Sequence, residues 1–497
     1  MRKISLFICS ALMVGLVSCE KELDQAPLSD ASAANFYRDA ADFEQAVNGI
    51  YAQLRPYPDR HFNLSEVRSD NMYATTEIGV REHEPINNFV NTLETNSLVI
   101  SAWNENFNGI MRANTVLDRL NASVVPDDAQ RNRFEGEARF LRALYYFDLV
   151  RLYGKVPVYD ASVSPAEALE VPRSPVAEVY SLIVSDLNTA IEMLPPSHGA
   201  VNRGRATSWA AKSLLALVHL TRSAPTYGIE GPGLDVNEYA EALTLLNDVI
   251  NNGPYAWVED YSSIFDYNNE NNPDIVFDIQ FLSGGLGTGG TYPGTMAPNS
   301  YFNAVGIPFP AGLETKPLSS DLIETFAPED ERLGVAVQQG FTDEFGNSDP
   351  RPFFRKFLDE DDYGLDRFDW GINFPIIRYT DVLMMKAEAI LQGAPGTQEE
   401  VDEIINMARV RAGLEPVSGV TLDMYLEERR REFAGEGHRW HDLVRTGQVI
   451  EEMNEWLPTE DTRNVMPETL DPNYIIYPIP FSQLQVKEGL YEQNPGY

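Results

Sequence analysis

The sequence predicts a mainly α protein: a TPR-like α-α superhelix of about four helix pairs, with a large irregular loop-rich insertion carrying short strands. Three observations predict it. Apolar residues recur at helical spacing in a series of adjacent stretches. Small residues (Ala210, Ala211 and Ala216; Ala240 and Ala242) fall where paired helices must approach closely. Two long stretches, 58–96 and 255–374, break the pattern; the first is polar and Asn-rich, the second rich in Gly, Pro, Asn, Asp and aromatics. No single helix pair can bury its own apolar face, so such pairs stack into a solenoid.

Taken in order, 31–57 forms the first amphipathic pattern through Phe36, Phe43, Val47, Ile50 and Leu54, with Asp42 as a local turn or cap. Residues 97–121 give a second through Trp103, Phe107, Ile110, Leu117 and Leu120. The clearest helix is 128–153, where Ala138, Leu141, Tyr145, Leu149 and Leu152 line one face and Gly154 ends the run. A fourth spans 176–194 and stops at Pro195-Pro196; 206–221 and 236–252 follow, then 378–392 and 398–412. The stretch 425–447, YLEERRREFAGEGHRWHDLVRTG, reads as two short helices jointed at Gly435 and Gly437. Its Arg429, Arg430 and Arg431 face Glu427, Glu428, Glu432 and Glu436 at spacings of three to four, which suits intrahelical ion pairs in a packing element.

A formal charge of -37 excludes nucleic acid and a basic membrane-surface patch, because phosphate binding needs clustered Lys and Arg. The two cysteines, Cys9 and Cys19, both precede the body, so no disulfide or Cys-based zinc site lies there. Arg2 and Lys3 precede an apolar run, 4–17, that is too short to span a membrane. Leu16-Val17-Ser18-Cys19 resembles a lipoprotein processing site: 1–18 is removed, Cys19 becomes the acylated N-terminus, and the acidic 19–30 forms a tether.

The residue order E-x-R-R-x-E-x-x-x-E-G-x-R-W-x-D-L-x-R-x-G within 425–447 resembles the C-terminal signature of the SusD/RagB family of nutrient-binding outer-membrane lipoproteins. Four further blocks resemble family blocks and occur in the family's order: EARFLRALYYFDLVRLYGKVPV, RATSWAAKSLLALVHL, NFPIIRYTDVLMMKAEAIL and YPIPFSQLQVKEGLYEQNPGY. Small departures are Thr380 and Met384, where Ala and Leu are common, and His441 inside the R-W-x-D-L run. The resemblance implies an N-terminal helical region at 31–254, a ligand-binding insertion at 255–374 and a C-terminal helical region at 375–497. It further implies a non-catalytic surface lipoprotein, facing the exterior, that hands glycan to a SusC-like TonB-dependent transporter docked on the helices. The acids Glu20, Glu22 and Asp24 after Cys19 resemble the surface-export signal of such bacteria.

Loops on a rigid scaffold are where binding residues concentrate. A sugar site needs flat aromatic faces for the C–H faces of pyranose rings, ringed by polar groups for the hydroxyls. The candidates are Trp103, Tyr292, Tyr301, Phe302, Tyr363, Phe368 and Trp370, with Asp70, Asn71, Arg81 and Asn106 as polar partners. Trp103 and Asn106 share a helix face, and in the family an early Trp with a nearby Asn can form part of the glycan arc. Gly285, Gly287 and Gly290 satisfy G-x-G-x-x-G after a strand-like run at 275–282, but TYPGTMAPNSYF follows and cannot open the helix a dinucleotide site requires. His438 and His441 could share a metal, yet they sit in the ion-paired element and are assigned to packing. Asp359 to Asp362 lack EF-hand spacing. No nucleophile triad order stands out, and no cofactor is implied. Two alternatives remain at this point: a surface glycoside hydrolase, or a binder of a non-sugar nutrient such as peptide.

Overall fold

The computed structural model describes residues 36–75, 81–307 and 315–497; the leader, Cys19 and the tether lie outside them. Among the described residues the scaffold is a run of helices, each packed on the next: α1 (Ala40–Tyr51), α2 (Ser97–Arg119), α3 (Asp128–Tyr153), α4 (Val176–Met193), α5 (Ser208–Arg222), α6 (Tyr239–Asn252), α7 (Tyr379–Leu391) and α8 (Gln398–Arg411). Side chains cap the starts: Asn96 for α2, Asp127 for α3, Thr207 for α5 and a Thr397–Glu400 capping box for α8. Gly154 ends α3 at φ +67°, where an added Cβ would lie 2.0 Å from the Glu230 carbonyl.

The central helix, α3, differs from the one-faced expectation. Nearly every residue from Phe134 to Tyr153 is buried, because α1, α2, α4 and α5 enclose it. Its polar residues are therefore paired rather than solvated, with Arg142 bonded to Asp186 of α4 at 2.7 and 2.8 Å and to Asn114 of α2 at 2.6 Å.

The insertion begins and ends at one antiparallel strand pair. β1 (Ile275–Ile279) lies beside β6 (Phe374–Arg378), and β6 runs directly into α7. This stem lets α6 and α7 pack on each other although the whole insertion separates them in sequence. Inside it, β2 (Val337–Gln338) pairs with β5 (Phe353–Phe354), and β3 (Phe341–Thr342) with β4 (Ser348–Asp349). Four helices of five or six residues also occur there, at Tyr292–Met296, Asn299–Ala304, Ser320–Thr325 and Glu331–Ala336. These helices were not read from the sequence, since one turn and a half shows no periodicity. The insertion's Phe277, Tyr292, Phe302 and Trp370 belong to the same core as Phe43 and Tyr145 of the helices.

The stretch after α1 was expected to be loop. Instead Tyr57–His61 is helical, Phe62–Glu66 is a π-helix, and almost every residue from Tyr57 to Thr75 is buried. Its polar composition reflects internal pairing: Arg60 and His61 both reach Asp148 of α3, at 2.7 and 2.9 Å.

The 425–447 element folds as α9 (Leu422–Glu432) and α10 (Arg439–Thr446), jointed at Gly435 and Gly437 with φ +83° and +82°; α11 (Val449–Glu460) follows. The two-helix reading holds, but most of the expected intrahelical ion pairs give way to pairs with distant segments. Arg431–Glu427 and Arg431–Glu428 are the intrahelical pairs among the described residues of α9. The other charges reach across the fold and are buried. Arg378 of β6 bonds Glu436 at 2.8 and 2.9 Å and Asp274 at 2.8 Å, and Arg411 of α8 bonds Glu432 at 2.5 Å. Arg429 joins Asp381 to Asp442, and Arg445 grips Glu388 with two bonds at 2.7 Å. Burial opposes the charge on Glu432, but Arg411, Arg378 and Arg332 outweigh it and hold its carboxyl at about 2. His441 is buried and His438 half-buried within this element, and desolvation holds both imidazoles below their ordinary range. Among the described residues, no group of three or more His, Cys, Asp or Glu could hold a metal ion.

Candidate functional site

One open groove of about 650 Å³ lies where four separate segments meet: 73–75, 317–320, 350–352 and the end of α11 with 459–463. Its floor is a small backbone weave. Met72 bridges Leu318, the Tyr73 N–H donates to the Pro317 carbonyl at 3.1 Å, and the Ser319 N–H donates to the Asn71 carbonyl at 3.0 Å. The Leu318 N–H donates to Pro352, and the Ser320 N–H to Glu460 at 2.6 Å, so the wall segments share one lattice of bonds.

The weave rests on the 425–447 element. Arg430 donates to the Asn71 side chain at 2.7 Å, to the Asp70 carbonyl at 2.8 Å and to Asp321 at 2.6 Å. Arg439 grips the Asp70 carboxylate with two bonds of 2.8 and 2.6 Å. Burial alone would raise the Asp70 pKa, but Arg430 and Arg439 hold it down at about 2. The arginines of the signature therefore fix the groove's floor from beneath without reaching its surface.

The walls alternate apolar and polar groups. Pro317, Leu318, Pro350, Pro352 and the half-buried Tyr73 ring give C–H surface; Thr75, Ser320, Arg351, Thr459, Glu460 and Arg463 give donors and acceptors. Tyr73 is fixed: its hydroxyl donates to Asp461 at 2.9 Å and accepts from the Arg463 N–H at 3.0 Å. Arg351 is held bidentate by Asp349 at 2.9 and 2.7 Å. A rigid wall of this composition can bind a polyhydroxylated ligand with little ordering cost.

The family described as "Starch-binding associating with outer membrane" matches residues 23–220, and the family described as "SusD family" matches 325–497. The chain belongs to the SusD family. It is similar to SusD-like protein P25 of Formosa agariphila, 24% identical with 98% of each chain covered. The starch-binding protein SusD of Bacteroides thetaiotaomicron is 26% identical, with 74% of each chain covered. A solved structure described as a laminarin binding SusD-like protein superposes with a TM-score of 0.76 at 26% identity, covering 93% of this chain and all (100%) of that one. The surface glycan-binding protein A of Bacteroides thetaiotaomicron, solved with laminarihexaose, shares the fold at TM-score 0.76 and 22% identity, with 92% of this chain and 99% of that one covered.

In this SusD-family chain the residues singled out from sequence do not assemble into one site. Tyr292, Trp370, Phe302 and Tyr301 are all core residues, at most 3% exposed. Tyr292 bonds the Ile372 and Asn373 carbonyls, and Trp370 bonds the Arg367 carbonyl, so no ring face remains for a sugar. Asn106 is fully buried and ties the Ala102 carbonyl to Asp148. Asp70 and Asn71 are buried as well, one layer beneath the groove. Tyr363 and Phe368 are exposed, at 41% and 49%, and Arg81 is half-buried; none of the three lines the groove.

Trp103 lines a second cavity of about 480 Å³, with Phe107, Tyr159 and Tyr491. The rings of Trp103 and Phe107 lie 4.9 Å apart, and Trp103 is only 3% exposed, so the rings pack on one another and offer edges rather than a platform. Tyr73, Arg351 and Arg463, which line the groove, are not among the candidates read from the sequence. One signal was available, the Pro350-Arg351-Pro352 triplet, which couples two rigid apolar rings to a fixed guanidinium.

Proposed function

We propose that the chain is a non-catalytic glycan-binding lipoprotein of the outer membrane. It captures oligosaccharide or polysaccharide at the cell exterior in the groove beside Tyr73 and delivers it to a SusC-like TonB-dependent transporter. The groove's fixed mixture of C–H faces and hydrogen-bonding groups carries this reading, and relatives named for laminarin, starch and surface-glycan binding support it. Cys19 is the proposed lipid anchor, and no helix among the described residues is long and apolar enough to cross a membrane. Outer-membrane association accords with the description of the matching family.

Binding rather than hydrolysis is favoured by the carboxylate count. Among the described residues that line the groove, Glu460 is the one carboxylate, and it already accepts from the Ser320 N–H and hydroxyl. Glycoside hydrolysis needs two flanking carboxyl groups.

The test is calorimetric titration with laminarihexaose and maltohexaose, alongside Tyr73→Ala and Arg351→Ala. Loss of a ring contact worth about 1 kcal/mol predicts roughly fivefold weaker binding for Tyr73→Ala. Affinity for the glucans that survives both substitutions unchanged removes the groove assignment. New reducing ends on incubation with polysaccharide overturn the non-catalytic reading.

A further inference from the structure

A separate cleft opens between the end of α1, the 201–205 turn and the end of β1. It has a volume of about 350 Å³ and is lined among others by Asn48, Tyr51, Arg55, Arg203, Arg205 and Gln280. A second cavity of about 180 Å³ shares Arg203, Gly204, Arg205 and Asp278 with it and continues past Tyr255 and Asn271. The two cavities adjoin at these shared residues.

Three guanidinium groups converge here in a chain with 75 acids and 38 basic residues. Arg205, at the back, is committed: it bonds Glu137 at 2.9 Å, Glu44 and Asn48. Arg55 and Arg203 are exposed, and Arg55 is steadied by one bond of 3.0 Å to the Gly287 carbonyl. A carboxylate lines the cleft too, Asp278, but it is 4% exposed and accepts from Gln280 at 2.6 Å. The turn is fixed in place, because Gly204 at φ +82° lies so close to Gln280 that a Cβ would meet its Cγ at 2.3 Å. The cleft therefore combines two guanidinium forks at the mouth with amide groups and the Tyr51 ring inside. Guanidinium forks match carboxylate and sulfate oxygens in a way hydroxyls do not. The volume falls within the range of small-ligand pockets.

We propose that this cleft binds an anionic sugar unit, a carboxylated or sulfated residue of an oligosaccharide, with Arg55 and Arg203 taking the anionic group. The proposal rests on the glycan-binding reading above and adds a ligand class and a second site to it. Neutral glucan would use the Tyr73 groove, whereas acidic glycan would be held by the arginine cleft.

Calorimetric titration of the full chain with trigalacturonate, with a sulfated carrageenan tetrasaccharide and with neutral laminarihexaose tests it. Binding of at least one anionic oligosaccharide is expected, weakened about tenfold in Arg203→Ala and abolished in Arg55→Ala/Arg203→Ala, with laminarihexaose affinity unchanged. The two anionic ligands distinguish carboxylate from sulfate recognition. Both arginines are exposed, so circular dichroism of the variants should match the parent, and Arg203→Lys should restore part of the affinity if charge alone acts. Absence of binding by both anionic ligands, or binding that survives the double substitution, overturns the proposal. Failure of laminarihexaose alone would count against the Tyr73 groove and leave this cleft standing.

Discussion

Arg430 and Arg439 both reach the segment beneath the Tyr73 groove, and they divide its atoms unequally. Arg439 grips the Asp70 carboxylate, whereas Arg430 holds the Asn71 amide and the Asp70 carbonyl, the backbone on which the Ser319 bond sits. Arg439→Ala removes a bidentate partner from a carboxylate 1% exposed. Breaking a buried pair costs about 3–5 kcal/mol, and the remaining Arg430 contact at 3.2 Å places this case at the low end, about 3 kcal/mol. With an unfolding entropy of about 2.1 cal/mol/K per residue, a 497-residue chain loses roughly 3 °C in melting temperature. Arg430→Ala should cost a similar amount and also loosen the floor. Differential scanning calorimetry and glucan titration of the folded protein read the two effects separately. Arg439→Ala should melt earlier and bind laminarihexaose as the parent does; Arg430→Ala should melt earlier and bind several-fold more weakly. Equal loss of affinity in both variants, or in neither, would refute the claim that Arg430 positions the groove and Arg439 only stabilises it.

Tyr292→Ala and Trp370→Ala should act on stability rather than on sugar affinity, lowering it by about 3–5 kcal/mol each in thermal melts, since both rings are fully buried. Gly437→Ala should destabilise strongly or prevent folding, because its φ is +82° and a Cβ would lie 2.6 Å from the His61 Cβ; expression yield and melting temperature report it. The pH profile has a definite sign. Asp70, Glu432 and Asp442 are each held at about 2 in the fold, below the ordinary carboxylate value near 4. Their contribution is complete above pH of about 4 and is lost as pH falls towards 2, so melting temperature should drop steeply across that window. Asp70→Asn should make the drop shallower.

What was legible in the sequence follows from how each signal is made. Long helices repeat an apolar stripe many times, so α2 to α8 appear within a few residues of their expected bounds. The two-helix joint at Gly435 and Gly437 was legible because the left-handed backbone at both positions favours Gly. Burial of charge was not legible. A run such as Glu427 to Glu436 looks solvated in one dimension, and nothing local reveals that Arg378, Arg411 and Lys356 will arrive from distant segments to neutralise it. The same blindness turned 58–75 into an expected loop, because a polar block and a buried hydrogen-bonded block have the same composition. It also hides which aromatic residues are free to form a sugar platform. Aromatic residues in a loop-rich insertion either face a ligand or supply the core that holds the loops, and an insertion with so little regular structure needs the second use more. Tyr292, Phe302, Phe357 and Trp370 meet that need, which leaves the proposed ligand surface to a tyrosine pinned by Asp461 and to the prolines around Arg351. Apart from the Pro350-Arg351-Pro352 triplet, the proposed groove is composed of residues whose individual types carry no binding signal, and the reading rests on their convergence over the arginine-held floor.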